Sequence, residues 1–234
     1  PALAFLAVPL SEADGRLNET NTLAATGGLG LRGEQAFEVA WKVDCRDLAT
    51  VPVEARAGLP WPSAGTLASQ GTAKGSLAAV RARDWARLNG AAEVDASSLK
   101  VRDGVLESLR LRAQASDGAV NVDDLGVRFD AQNSIAATGR MGLTGDDASV
   151  AGQLRAQLPA VSRLSGWSTS FGGPVLRGGS AAVDWQGRGA LDGSSMEGGG
   201  TARLQGVQID GVAEPLGLAA TVAHAGRTIS LTAL

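Results

Sequence analysis

The sequence predicts an all-β fold, a meander of antiparallel hairpins arranged in tandem repeats. Three observations carry that expectation: strict two-residue alternation of apolar and polar residues, Asp-Gly pairs between the alternating runs, and self-similarity at a spacing of roughly 105–112 residues.

Alternation comes first because a strand points successive side chains to opposite faces. In "SLRLRAQA" Leu109, Leu111, Ala113 and Ala115 share one face, against Arg110, Arg112 and Gln114. "VNVDDLGVRFDA" sets Val120 and Val122, then Val127, Phe129 and Ala131, against Asn121, Arg128 and Asp130. "FEVAWKV" does the same with Phe37, Val39, Trp41 and Val43. Near the end, "PLGLAATV" and "TISLTAL" align Leu216, Leu218, Ala220 and Val222, then Ile229 and Leu231. These strands have one apolar and one wet face, as antiparallel sheets commonly do. The apolar set is expected on one continuous side, with Lys42, Arg110, Arg112 and Arg128 on the other.

Turn chemistry fits between the runs. Asp14-Gly15, Asp103-Gly104, Asp117-Gly118, Asp192-Gly193 and Asp210-Gly211 tolerate the positive φ of tight hairpin loops. Helical signal is confined to short candidates, Cys45 to Val51 and Leu158 to Trp167. About 18 strands are expected, which at ~4.8 Å per strand would extend some 85 Å.

The chain also repeats itself. "NTLAATGGLGLRGEQA" from Asn21 matches "NSIAATGRMGLTGDDA" from Asn133, 112 positions on. "VRDGVLESLRLRA" from Val101 matches "IDGVAEPLGLAA" from Ile209, placing Asp103 on Asp210. "GSLAAV" (Gly75 to Val80) matches "GGSAAV" (Gly178 to Val183), and Trp61 corresponds loosely to Trp167. The expected organisation is the tail of a preceding repeat over 1–20, one unit over 21–132 and a second over 133–234. Together they form one continuous β body that reads as a fragment of a longer chain.

Composition narrows the function classes. Glycine, 32 of 234 residues, is about twice the usual ~7 %. The chain is 44 % hydrophobic and 19 % charged, too apolar for disorder. A net charge of −3 without a basic tract argues against nucleic acid as a partner. Cys45 is the one cysteine, so no intrachain disulfide forms.

Motifs for chemistry are weak. Gly28, Gly30 and Gly33 fit G-x-G-x-x-G, yet alternation follows rather than a helix, and the second copy replaces the first glycine by Arg140. His224, in "VAHAGR", reads as an exposed turn residue with no companion for a metal. Ser168 and Ser170 in "GWSTSFGG" lack the G-x-S-x-G elbow. Asp123-Asp124 and Asp146-Asp147 read as solvated turns. Trp61 and Trp167 suggest a scaffold role, such as plugging a strand end. No enzyme activity, cofactor or metal is expected.

Phrases such as "IAATGRMGL" (Ile135 to Leu143), "GTLASQGTAKGSLAAV" and "LKVRDGVLESLRLRAQASDGAVNVDDL" resemble the repeats of the TamB/AsmA-like proteins of Gram-negative envelopes, over essentially the whole chain. The resemblance implies an elongated antiparallel sheet curled into a gutter, a β-taco, with an apolar inner wall. It further implies a periplasmic location within an inner-membrane-anchored protein, phospholipid as the cargo, and an outer-membrane barrel protein as a partner met through a segment outside this chain. The groove would be lined by Phe37, Val39, Trp41, Leu109, Leu111, Val120, Val122, Val127, Phe129, Leu216, Leu218, Ile229 and Leu231. The rival expectation is a closed β-sandwich or β-helix, a passive stalk or adhesin module in which the same alternation makes only core.

Overall fold

The computed structural model describes residues 7–10, 15–16, 20–30, 33, 35–51, 62–82, 84–143, 148–190, 195, 197–225 and 228–233. The strands in chain order are β1 (Ala7–Leu10), β2 (Gly15–Arg16), β3 (Asn21–Gly30), β4 (Ala36–Cys45), β5 (Ala64–Ser76), β6 (Asn89–Val101) and β7 (Gly104–Ser116). They continue with β8 (Ala119–Arg128), β9 (Ser134–Gly142), β10 (Ser149–Leu158), β11 (Leu176–Ala190), β12 (Glu197–Ile209), β13 (Leu216–Ala225) and β14 (Thr228–Ala233).

All fourteen belong to one antiparallel sheet. From β3 to β14 every strand lies beside its neighbours in sequence, β1 flanks β3, and β2 pairs with β3 off this path. The result is an elongated curled sheet that does not close into a barrel. Among the described residues strands are fewer than the eighteen expected for the chain, and the glycines did not break them: β5, β6, β7 and β12 run 13 residues and β11 runs 15.

Helix is scarce and short. A 3₁₀ turn at Leu48–Thr50 follows β4, and another at Val161–Leu164 leads into α2 (Ser165–Ser170), both within the segments expected to be helical. The connection from β5 to β6 holds α1 (Leu77–Ala82) and a 3₁₀ turn, Trp85–Arg87. This connection corrects the match between Gly75–Val80 and Gly178–Val183, because the first stretch passes from strand into helix while the second lies inside β11.

Turn chemistry is met in part. Asp117 and Gly118 form the two-residue loop between β7 and β8 with φ of 49° and 72°, the double left-handed geometry that Asp-Gly suits. At the preceding hairpin the loop is Arg102–Asp103, one residue earlier than expected, and Gly104 already pairs with Val101. Asp14, Asp146, Asp147, Asp192, Gly193 and Trp61 lie outside the described residues.

Bulges keep apolar residues in phase. In β8 an irregularity between Val122 and Leu125 absorbs the extra residue that separates Val122 from Val127. Asp123 and Asp124 therefore lie in strand β8 and not in a turn. The bulges at Gly65 (φ 118°) and Gly179 (φ 92°) occur near the start of β5 and β11, where a side chain would strike the neighbouring strand's backbone. The buried core is thin and terminal: Cys45, Leu48, Val51, Ala96, Leu99 and Leu106 form one cluster at the strand ends.

Candidate functional site

The two faces of the sheet can be read from the ladders, because directly paired residues share a face. One row crosses twelve strands, β3 to β14: Leu23, Val43, Ser69, Val94, Leu111, Leu125, Ala137, Leu154, Trp185, Gly200, Val222 and Leu231. The row beside it runs Ala25, Trp41, Gly71, Ala92, Ala113, Val122, Gly139, Gly152, Gly187, Gly198, His224 and Ile229. A third contains Cys45, Leu67, Ala96, Leu109, Val127, Ile135, Ala156, Val183, Ala202 and Ala220. No Asp, Glu, Lys or Arg stands in any of these rows.

By register, the residues of β4, β7, β8 and β13 expected to line a groove stand on this side, and the side chains of Ile229 and Leu231 lie outside the described ones. Val39 pairs with Ala73, Val120 with Ala115 and Met141, Leu218 with Leu204, and Leu216 with Val207. Phe37 pairs with Leu29 and Gly75. Phe129 lies just past β8 and packs, with Leu109 and Val127, against the buried cluster beneath Leu48 and Val51. Those three form a margin of the face, whereas Leu111 and Val122 lie in its open middle. His224 is within β13, in register with Gly198 and Ile229, and not in a turn.

The opposite face carries the charge. Arg110 pairs across from Asp95 at 3.2 Å, Arg112 from Glu93 at 3.8 Å, and Arg155 from Asp184 at 2.8 Å. Gln70 donates to Glu93 at 2.9 Å, and Lys42 and Arg128 stand in the same outward register. These exposed pairs contribute little stability each, about 0–1 kcal/mol. Their effect is on register, since a one-residue slip would carry them onto the apolar side.

On the apolar side, Val120, Val122, Leu125, Met141, Val150, Leu154 and Trp185 line an open groove of about 350 Å³ across β8 to β11. Gly139 and Gly152 face one another in its floor. A larger hollow of about 540 Å³ lies among Asp44, Asp95, Arg110, Asp124 and Arg128 on the charged face; its walls suit water better than an apolar ligand.

The residues that could have signalled chemistry have structural partners. Gly28 and Gly30 are inside β3. Ser168 Oγ donates to the Pro174 carbonyl at 2.6 Å, and Ser170 Oγ accepts from the Asp103 N–H at 3.3 Å. The Cys45 thiol is buried, and burial, then the Asp44 charge, push its pKa up, which makes the nucleophilic thiolate scarcer. Among the described residues no group of His, Cys, Asp and Glu is placed to hold a metal ion, and no helix is long and apolar enough to cross a membrane.

Trp167 was singled out in the sequence, and the structure shows what it does. Its indole N–H donates to the Val105 carbonyl at 2.6 Å, and its ring covers Gly104. Trp167 also meets Phe129 edge-on and stacks on Phe171, each at 6.0 Å between centroids. Arg102 donates to the Ser170 carbonyl at 2.6 Å. The Val161–Phe171 segment thus seats on the β6–β7 hairpin tip, a scaffold role of the kind expected for Trp167, although the sequence does not name the tip as its partner.

Comparison with known protein families, curated proteins and solved structures finds no match to this chain.

Proposed function

We propose that the chain is a non-enzymatic segment of a periplasmic conduit, whose apolar face carries phospholipid acyl chains between inner and outer membranes in outer-membrane biogenesis. One observation carries the reading: the uncharged rows continue across twelve strands and through the junction between the two repeats. An acyl chain moving across the sheet would meet no charged group, and so no desolvation penalty of several kcal/mol. The groove at β8 to β11 straddles that junction at residues 132 and 133, where a break in the path would be most expected.

Exposure supports the same reading. Met141 and Leu154 remain about 37 % exposed, and a sheet with an apolar face must set it against a second layer, a partner or a ligand. Among the described residues the helical segments reach only the strand ends. The alternative, a passive stalk or adhesin module with a closed apolar core, requires a layer over Leu111, Val122 and Leu154 that these segments do not supply.

The headgroups would stay in water at the rim, as the polar reverse face does. Periplasmic placement, membrane anchoring and an outer-membrane barrel partner follow from the resemblance to TamB/AsmA-like repeats and belong to the same proposal. Native mass spectrometry of the purified chain tests it. Phospholipid masses that co-purify and are displaced by added lipid support the conduit, and a lipid-free chain at every membrane-mimetic condition argues for the stalk.

A further inference from the structure

The joint between the two units has a counterpart at the far end of the second unit. In the first, the β6–β7 tip is covered: Gly104 and Leu106 are buried, and a Cβ at Gly104 would lie 2.7 Å from the Trp167 ring. In the second, the β12–β13 tip carries the matching "DGV", Asp210-Gly211-Val212. There, among the described residues, nothing lies within 4 Å of the Cβ position at Gly211. Leu216 and Leu218 are 42 % and 41 % exposed, whereas their matches Leu109 and Leu111 are half-buried; Val212 and its match Val105 are exposed at both tips.

We propose that the Ile209–Leu218 end of the sheet is a docking surface for the tryptophan-bearing cap of a following repeat unit, an element of the same kind as Val161–Phe171. The occupant is named by precedent within the molecule, since the cap on the first tip comes from the unit that follows it. The fit is chiefly apolar. Arg102 has no counterpart in the second loop, and the Asp210 N–H already donates to the Val175 carbonyl at 2.9 Å. The Asp210 carboxylate is held by Arg177 at 2.9 Å, which fixes the loop's base and leaves Gly211 and Leu216 for an indole to cover. The second loop is longer, with six residues between Ile209 and Leu216 against two between Val101 and Gly104, so the indole would sit across its side rather than over a tight turn. The inference does not rest on lipid transport; a conduit or a stalk would need the same joint.

The test is hydrogen exchange on a three-unit chain made by appending a second copy of residues 133–234 after Leu234. Amides of Gly211 to Leu218 should exchange at least tenfold more slowly than in the 234-residue chain, and Leu216→Asp should abolish the protection. In the 234-residue chain itself, Leu216→Asp should shift the melting temperature little, since that side chain is 42 % exposed there. An unprotected tip in the three-unit chain overturns the proposal. So does a Leu216→Asp chain that melts well below its parent, or protection in the 234-residue chain that rises with concentration and so marks a second copy as the occupant.

Discussion

Asn21 and Asn133 stand 112 positions apart and make the same two-way hydrogen bond. Asn21 donates to the Asp47 carbonyl at 2.9 Å and accepts from the Asp47 N–H at 3.1 Å. Asn133 donates to the Ala160 carbonyl at 3.1 Å and accepts from the Ala160 N–H at 3.1 Å. Both asparagines are fully buried, and both peptide groups immediately precede a 3₁₀ turn. One side chain thereby ties the start of a strand to the element that covers the strand ends.

Replacing Asn133 by Ala should therefore destabilise the chain by about 2–4 kcal/mol, because a buried N–H and C=O lose their partners at once and each costs about 1–3 kcal/mol. Asn133→Asp should not rescue, since a carboxylate cannot donate to the Ala160 carbonyl. Denaturant unfolding of both variants checks this, and Asn21→Ala should behave alike.

The same comparison shows how far the sequence could be read. The match of "NTLAAT" with "NSIAAT" is visible in the letters, but a buried amide bonding 27 residues away is not. Alternation placed Leu109, Leu111, Ala113 and Ala115 on one face because period-two patterning is a local property. It stumbled at Asp123-Asp124, where a bulge, set by pairing to β7 and β9, resets the phase. The helical Leu77–Ala82 was missed because six residues of Leu, Ala, Val and Arg have no distinctive period. Trp167's partner, Gly104, is 63 positions away in sequence, and only the folded sheet brings the two together.

Gly104→Val should dislodge the cap, since the added atoms run into the Trp167 ring. The expected cost is about 1–3 kcal/mol, the range for overpacking. In a double-mutant cycle with Trp167→Ala the two effects should be strongly non-additive, because the second change removes the obstacle. Additive effects would mean that Gly104 matters for its backbone alone.

Asp130 gives a pH signature. Burial, the largest single influence, would raise its pKa, but the N–H groups of Gln132 and Asn133, the Asn133 amide and nearby Arg163 together outweigh it, and the value is lowered. A carboxyl depressed by folding contributes stability that is present above its unfolded value of ~3.9 and is lost as pH falls through the folded value. The cap at Asn133 should therefore hold at pH 5 and loosen below about pH 3.9, and Asp130→Asn should flatten that part of the stability profile. An NMR titration of the Asp130 carboxyl with a midpoint at or above the ordinary value would contradict the assignment.

Cys45 should react slowly with thiol reagents at pH 8 and promptly in denaturant, as its thiol is buried and its pKa raised. The rate of modification in water then reports local opening of the cluster around Leu48 and Val51. Fast modification in the native state would show that the strand ends near Cys45 open readily.

The most discriminating variants lie in the middle of the apolar face. Leu111 pairs with Val94 and Leu125, Val122 with Ala113 and Gly139, and both are half-buried rather than enclosed. A charge at either position can reach water, so Leu111→Asp or Val122→Arg should cost at most about 1–2 kcal/mol, against the 3–5 kcal/mol of an uncompensated charge in a closed core. If acyl chains cross the sheet along these rows, the same charge sets a barrier of several kcal/mol in their path. Lipid bound to the purified variant should then fall at least tenfold, and the parent protein should lose transport although the variant remains folded. The exposed substitution Arg112→Gln, on the reverse face opposite Glu93, controls for altered charge alone and should bind lipid as before. A variant that unfolds would favour the closed-core stalk, and a folded variant that carries lipid unchanged would show that the path lies elsewhere.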